Sequence, residues 1–186
     1  AIYRNLTPAS IRMEVEASLR RLGTDYIDLL QCHWPDPSTP IPETMDAMKA
    51  LIKEGKIRAV GVSNFNVSQL EESQQALHPL PLTSHQPKYS LLDREIEKSI
   101  LPWTIEHNIG SIVYSPLEQG LLSGKVTLDR RFPSNDGRAR HPLFRADVRR
   151  VVLHAIEQLK SLQQKYSLTP AQLAIAWVTH QPGITA

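Results

Sequence analysis

His33 stands where an apolar run gives way to prolines. In Asp25-Tyr-Ile-Asp-Leu-Leu-Gln-Cys-His-Trp-Pro-Asp36, residues 26–30 are β-prone and largely apolar, as expected of a strand buried on both faces. The run passes through Cys32, His33 and Trp34 and is stopped by Pro35 and Pro37. An imidazole at such a strand end is placed to meet a ligand at the carboxyl edge of a parallel sheet. Taken alone, His33 reads more readily as a structural histidine. Later apolar runs end in the same manner, however: 56–62 in Ser63-Asn64, 82–87 with His85 and Gln86 inside it, and 110–114 with Tyr114 running into Ser115. A helix cap would account for Ser63-Asn64, and core packing for Tyr114. Neither accounts for the recurrence. The set is a ring of amide, hydroxyl, imidazole and aromatic groups with almost no charge. It suits a flat, amide-bearing ligand, whose carboxamide would exchange hydrogen bonds with Ser, Asn and Gln while a tyrosine ring stacks on its plane. Nicotinamide has that shape.

Those residues need a frame. The chain has 186 residues, 41% of them hydrophobic, enough for a substantial core, and reads as a single domain over 1–186. A net charge of +2 is too mild for nucleic acid, and no basic helix alternates with aromatics. No apolar run approaches the roughly 18 residues of a membrane span, and the opening residues show no signal-peptide pattern. Cys32 is the only cysteine, so no internal disulfide and no zinc site are expected, and a reducing cytoplasm is the simplest location.

Thr7-Pro8 caps a helix in which Ile11, Val15, Leu19 and Leu22 recur at helical spacing until Gly23 ends it. Pro42-Glu43 opens a second, with Met45, Met48, Leu51 and Ile52 on one apolar face, closed by Gly55; its methionines read as core rather than ligands. Asn66 with Gln69 predicts a capping box for a helix to about Ala76. A helical stretch covers about 94–107, where Pro102 marks a break and a fresh first turn. Residues 118–145 read as a long polar loop with several arginines, of the kind that is functional or mobile. Val148, Val152, Ile156, Leu159 and Leu162 mark one long amphipathic helix, and Thr169-Pro170 caps another containing Leu173 and Trp177.

Short strands alternating with helices mean a doubly wound sheet or a (β/α)8 TIM barrel. No Gly-x-Gly-x-x-Gly opens a βα turn, so the barrel is the better reading. A complete barrel takes about 250 residues. Strands at 26–31, 57–62, 82–86 and 111–114, with the stub of another at Gly183-Ile-Thr-Ala186, predict an incomplete barrel of four to five parallel strands, neighbours in that order. In a barrel all strand carboxyl ends face one mouth, which would gather the candidate residues.

The stretches Leu19-Arg-Arg-Leu-Gly-Thr-Asp-Tyr-Ile-Asp-Leu-Leu-Gln-Cys-His-Trp-Pro-Asp36, Gly55-Lys-Ile-Arg-Ala-Val-Gly-Val-Ser-Asn-Phe65, Gln86-Pro-Lys-Tyr89 and Tyr114-Ser-Pro-Leu-Glu-Gln-Gly-Leu-Leu-Ser-Gly-Lys125 resemble the aldo-keto reductases. Order and spacing match along essentially the whole chain, in the style of the bacterial and potassium-channel-beta-subunit-like branch. The resemblance implies that His33 hydrogen-bonds the substrate carbonyl oxygen. It implies that Ser63, Asn64 and Gln86 hold the nicotinamide carboxamide and that Tyr114 stacks on its ring. Ser115, Pro116, Leu117 and Gln119 sit where the family wraps the pyrophosphate, with Lys125 as a cationic partner and Arg138 within reach of the same phosphates. The implied reaction is hydride transfer from NADPH to the aldehyde or ketone group of a small-molecule substrate, with no metal and no nucleic-acid or membrane partner.

In the family the acid tyrosine, its lysine and an aspartate fall upstream of the region that begins here. The loop and helix that bind the adenosine 2′-phosphate fall beyond its end. Tyr3 reads as a flanking-loop residue, Tyr26 lies at the wrong end of its strand, and Tyr89 and Tyr114 have other roles, so none replaces the acid. The chain is therefore expected to be the middle and later part of a reductase, inactive alone and, with two open sheet edges, poorly soluble or associated. The alternative is a non-catalytic, cofactor-sensing module of the same fold, like a channel beta subunit.

Overall fold

The computed structural model describes residues 4–186, so Tyr3 lies outside the described residues. The chain resolves into two compact units. The first comprises the chain through Pro87 together with Glu95–Ile112 and Thr185–Ala186; the second comprises Lys88–Arg94 and Val113–Ile184.

The first unit opens with α1, Pro8–Leu22. Thr7 Oγ1 accepts from Ser10 N at 3.4 Å, and Gly23, at φ +66°, donates its N–H to Leu19 O. The i, i+4, i+8 residues Ile11, Val15 and Leu19 are buried. β1, Ile27–Cys32, leads to α2, Ile41–Lys53, whose Met45, Met48 and Leu51 are buried. Each such side chain contributes about 1.5–3 kcal/mol over leaving it in water. β2, Ile57–Ser63, precedes α3, Val67–Leu77, where Asn66 and Gln69 close the expected capping box with bonds of 2.9 and 3.0 Å. β3 is Leu82–Gln86. A 3-10 turn at Glu95–Lys98 then precedes α4, Ile100–Glu106, and β4, Gly110–Ser111. The break thus falls at Ser99, and Pro102 sits in the first turn of α4, where its missing N–H does no harm.

All four strands pair in parallel in the order β1-β2-β3-β4, as the alternation of strands and helices predicts for a (β/α)8 barrel. Two expectations about strands need correcting. β1 is half-buried along most of its length rather than buried on both faces, because it is the edge strand. β4 ends at Ser111 instead of reaching Tyr114. Ile112 still donates to His85 O at 2.9 Å, but Pro87, just past β3, has no N–H to carry a ladder further. Thr185 comes beside β4, donating its N–H to Ser111 O at 2.9 Å, where the terminal apolar run was expected to begin a strand. Gly61 is forced by packing: a Cβ there would lie 2.2 Å from Ser84 Oγ and 2.9 Å from Gln31 Cγ.

The second unit has its own core of Leu121, Leu122, Val126, Phe144, Val152 and Ala174. The 118–145 stretch is therefore no simple polar loop. It folds as a kinked pair of short turns over Glu118–Ser123 and as 3-10 turns at Gly137–Ala139 and Pro142–Phe144, with Leu121, Leu122, Val126 and Phe144 turned inward. Buried Arg149 ties it down by donating to the carbonyls of Thr127 and Arg130 at 2.8 and 2.9 Å. The long helix expected over 148–162 is two helices, α5 at Ala146–Gln158 and α6 at Lys160–Tyr166, separated at Leu159. α7, Pro170–Thr179, begins with a Thr169–Gln172 capping box.

Candidate active site

In the first unit the candidate residues form one hydrogen-bonded row across the carboxyl ends of three strands. Asn64, just past β2, donates from Nδ2 to His33 O at 3.0 Å and to Ser63 Oγ at 2.9 Å. Ser63 Oγ donates in turn to Gln86 O at 2.7 Å, and Asn64 N reaches the same carbonyl at 3.3 Å. Asn64 takes the left-handed conformation, φ +63°, which asparagine tolerates better than most residues and which turns its amide back over the strand ends. His33 itself is exposed, its ring centroid 6.5 Å from that of Trp34. A small cavity of about 130 Å³ beside β1 is lined by Leu6, Val15, Leu30, Cys32, His33 and Met48.

Beneath the row lies a polar layer. Gln86 Nε2 donates to Gln31 Oε1 at 3.3 Å, and Gln31 Nε2 donates to Ser84 Oγ at 2.9 Å. Gln31 was not among the sequence candidates, although a glutamine inside an apolar strand was a visible signal. Asp36, the end of the first motif, holds the loop after β1. Its buried carboxylate accepts from Leu6 N, Ser38 N, Ser38 Oγ and Thr39 Oγ1 at 2.6–2.9 Å. Those donors, led by the Ser38 hydroxyl, hold it well below the usual carboxylate range. Cys32 is inert as a nucleophile, since burial pushes its thiol up to about 12.

In the second unit the candidates follow one another along an irregular segment. Tyr114 bridges to Lys88 in parallel, and Tyr89 N donates to Tyr114 O at 3.2 Å. Partial burial raises the Tyr114 phenol above its ordinary value, against an opposing pull from Lys88. From Ser115 the backbone repeatedly enters the left-handed region: φ is +60° at Ser115, +46° at Glu118, +53° at Gln119 and +93° at Gly120. Each such non-glycine residue costs about 1–2 kcal/mol. Pro116 and Leu117 are half-buried, and Leu117 O accepts from Gly120 N and Leu122 N. Gln119 and Lys125 are exposed. Arg138 donates to Gln119 O at 3.4 Å, but most of its guanidinium faces Asp136, the closest contact being 2.6 Å.

The segment's anchor is a cluster that sequence reading missed. Glu118 is buried; its Oε1 accepts from Ser90 Oγ at 2.6 Å, and its Oε2 lies 2.9 Å from Lys88 Nζ, which also pairs with Asp93 at 3.1 Å. Burial works against the Lys88 charge, but the Glu118 and Asp93 carboxylates outweigh it and hold the ammonium above its ordinary value. No local pattern marks Glu118 as buried, since its neighbours are a leucine, a glutamine and a glycine. Another concavity of this unit, about 440 Å³, lies among Leu91, Leu159, Leu162, Leu173 and Trp177, a mostly apolar lining that Tyr166, His180 and Gln181 complete. Among the described residues no cluster of His, Cys, Asp and Glu could hold a metal, and no helix is long and apolar enough to cross a membrane.

A parallel barrel sheet with amide, hydroxyl and imidazole groups at its strand ends defines a protein of the (β/α)8 class, whose sites form at that edge. More narrowly, the chain belongs to the aldo/keto reductase family, whose profile matches residues 2–186. It is 43% identical over 183 residues to the aldo-keto reductase YhdN of Bacillus subtilis (strain 168), covering 98% of this chain and 54% of that protein. It is 42% identical to an NADH-specific methylglyoxal reductase of Escherichia coli (strain K12), covering 97% and 55%. The structure of the glycerol dehydrogenase AKR11B4 from Gluconobacter oxydans superposes with a TM-score of 0.93 at 40% identity, over 99% of this chain and 55% of the other. The chain thus spans about half the length of the relatives it matches.

Proposed function

We propose that this chain is the carbonyl-orienting and nicotinamide-holding part of an NADP(H)-dependent reductase that converts aldehydes or ketones to alcohols. The observation that carries the reading is the row joining His33, Asn64, Ser63 and Gln86 across three strand ends. Asn64 and Gln86 carry amides and Ser63 a hydroxyl, the donor and acceptor types that a carboxamide needs, and their meeting at adjoining strand ends supports a nicotinamide there. Bound there, the nicotinamide would supply the hydride. His33 would offer a ring N–H to the substrate carbonyl oxygen and fix its angle, and Tyr114 would cover the flat face of the carboxamide-bearing ring. Ser115, Pro116, Leu117, Gln119 and Lys125 would follow the diphosphate. NADP(H) is the cofactor we favour; the E. coli relative's name, NADH-specific methylglyoxal reductase, makes NADH the necessary comparison. A reducing cytoplasm, which keeps Cys32 a thiol, completes the proposal.

The test is oxidation of NADPH and of NADH, with a small aldehyde, by the full-length reductase of which this chain is proposed to be a part. Turnover is expected with NADPH, and His33→Ala and Tyr114→Ala are each expected to remove most of it, about 10²-fold or more. Wild-type rates in both variants would overturn the assignment of the site, and a preference for NADH would overturn the choice of cofactor.

A further inference from the structure

We propose that Glu118 is a positioning residue. Its buried carboxylate, gripped by Lys88 and Ser90, holds the left-handed turn from Ser115 to Gly120 in the one shape that lets its backbone follow a dinucleotide's diphosphate. The proposal rests on the cofactor reading above and assigns Glu118 no contact with the cofactor.

A segment with Ser115, Glu118 and Gln119 all at positive φ does not hold that shape by local preference; it persists only where the surroundings over-determine it. Glu118 is the residue through which they do so. Its side chain is 1% exposed although it lies between an exposed Gln119 and a half-buried Leu117. It meets a turn that is itself rigid: Ser90 and Asp93 exchange backbone bonds of 3.0 and 3.3 Å, and Ser90 Oγ accepts from Leu92 N and Asp93 N while donating to Glu118. Lys88 then bridges Asp93 and Glu118, so both arms of the grip come from residues 88–93. A buried carboxylate in a fold of this kind needs its partners in place, and breaking the pair from one side leaves a charge uncompensated. The carboxylate therefore moves only with the turn that carries it. Pre-organisation of this sort shows in affinity, because a ligand meets a turn already ordered.

The experiment is titration of the intact protein with NADPH, followed by its fluorescence, alongside reduced nicotinamide mononucleotide, which lacks the diphosphate link. Glu118→Gly removes the anchor while giving the backbone a residue at ease at φ +46°. Glu118→Gln keeps the shape and the Ser90 contact and loses the ion pair. We expect Glu118→Gly to weaken NADPH about tenfold and Glu118→Gln about threefold, with the mononucleotide changed less than twofold in both. Wild-type affinity of Glu118→Gly for NADPH would overturn the proposal, since the turn would then need no anchor. Equal losses for both ligands would also overturn it, since the role would be one of general stability. A wild-type protein that binds neither ligand would instead overturn the cofactor reading itself.

Discussion

The strand ends of the first unit and the turn of the second hold their candidate residues by different means. His33, Ser63, Asn64 and Gln86 follow regular parallel strands, and main-chain carbonyls at those ends receive their bonds. Ser115 to Gln119 follow a two-residue strand and a single bridge at Tyr114, in a segment that enters the left-handed region and is held by one buried carboxylate and its cation. A backbone ladder fixes its terminal side chains with bonds that every residue type can make. An irregular turn depends on particular side chains, so its shape is as specific as its anchors are. The first kind of site should resist substitution at its edges and fail when the sheet interior is disturbed; the second should yield to one anchor at a time.

The largest disturbance expected in the first unit is Gly61→Val. The new Cβ lands on Ser84 Oγ and Gln31, so the polar layer beneath the row must break or the strands must part. Overpacking of this kind costs about 3 kcal/mol, and chemical denaturation should show it. Adding Ser84→Ala should recover part of the loss; no recovery would mean that the strain lies in the β2 backbone instead.

His85, fully buried in β3, gives a loss of nearly the same size with acid. Burial pushes its pKa down to about 4, whereas an unfolded histidine titrates near 6.5. Above about pH 6.5 both states are neutral and its contribution is intact. As pH falls from 6.5 to 4 the unfolded state takes up the proton and the folded state does not, so stability declines by about 3 kcal/mol and then levels off. His85→Leu should flatten that part of the profile. An unchanged slope between pH 6.5 and 4 would assign the acid sensitivity to other groups.

In the second unit Arg149→Met should cost about 2 kcal/mol, because it strands the Thr127 and Arg130 carbonyls. Its signature should be local. Protease cutting near 127–131 should rise well before the first unit loses its amide protection, and simultaneous loss in both would contradict the division into two kinds of support. The smallest effect expected is from Asn66→Ala, about 1 kcal/mol through loss of the α3 cap, seen as a shift in midpoint of a few degrees. A shift as large as that of Gly61→Val would mean that Asn66 does more than cap.

Capping and periodicity were legible in the chain because they are local. Thr7-Pro8, the Asn66–Gln69 box and Thr169-Pro170 each begin a helix at or beside the expected residue, since a cap needs partners only three residues away. The parallel order of the strands followed from the alternation of strand and helix signals, and the strand-end row from where the apolar runs stop. Tertiary structure alone decided the rest. β4 stops short because its neighbour β3 is followed by Pro87, the 148–162 helix divides at Leu159, and Gly61 is imposed by Ser84, 23 residues away in the chain. Glu118 is the strongest case, a charged side chain in a polar stretch, indistinguishable in sequence from a solvated one. Only the approach of Lys88 and Ser90, 30 and 28 residues earlier, makes its burial favourable, because a carboxylate leaves water when a cation and a hydroxyl replace what it gives up.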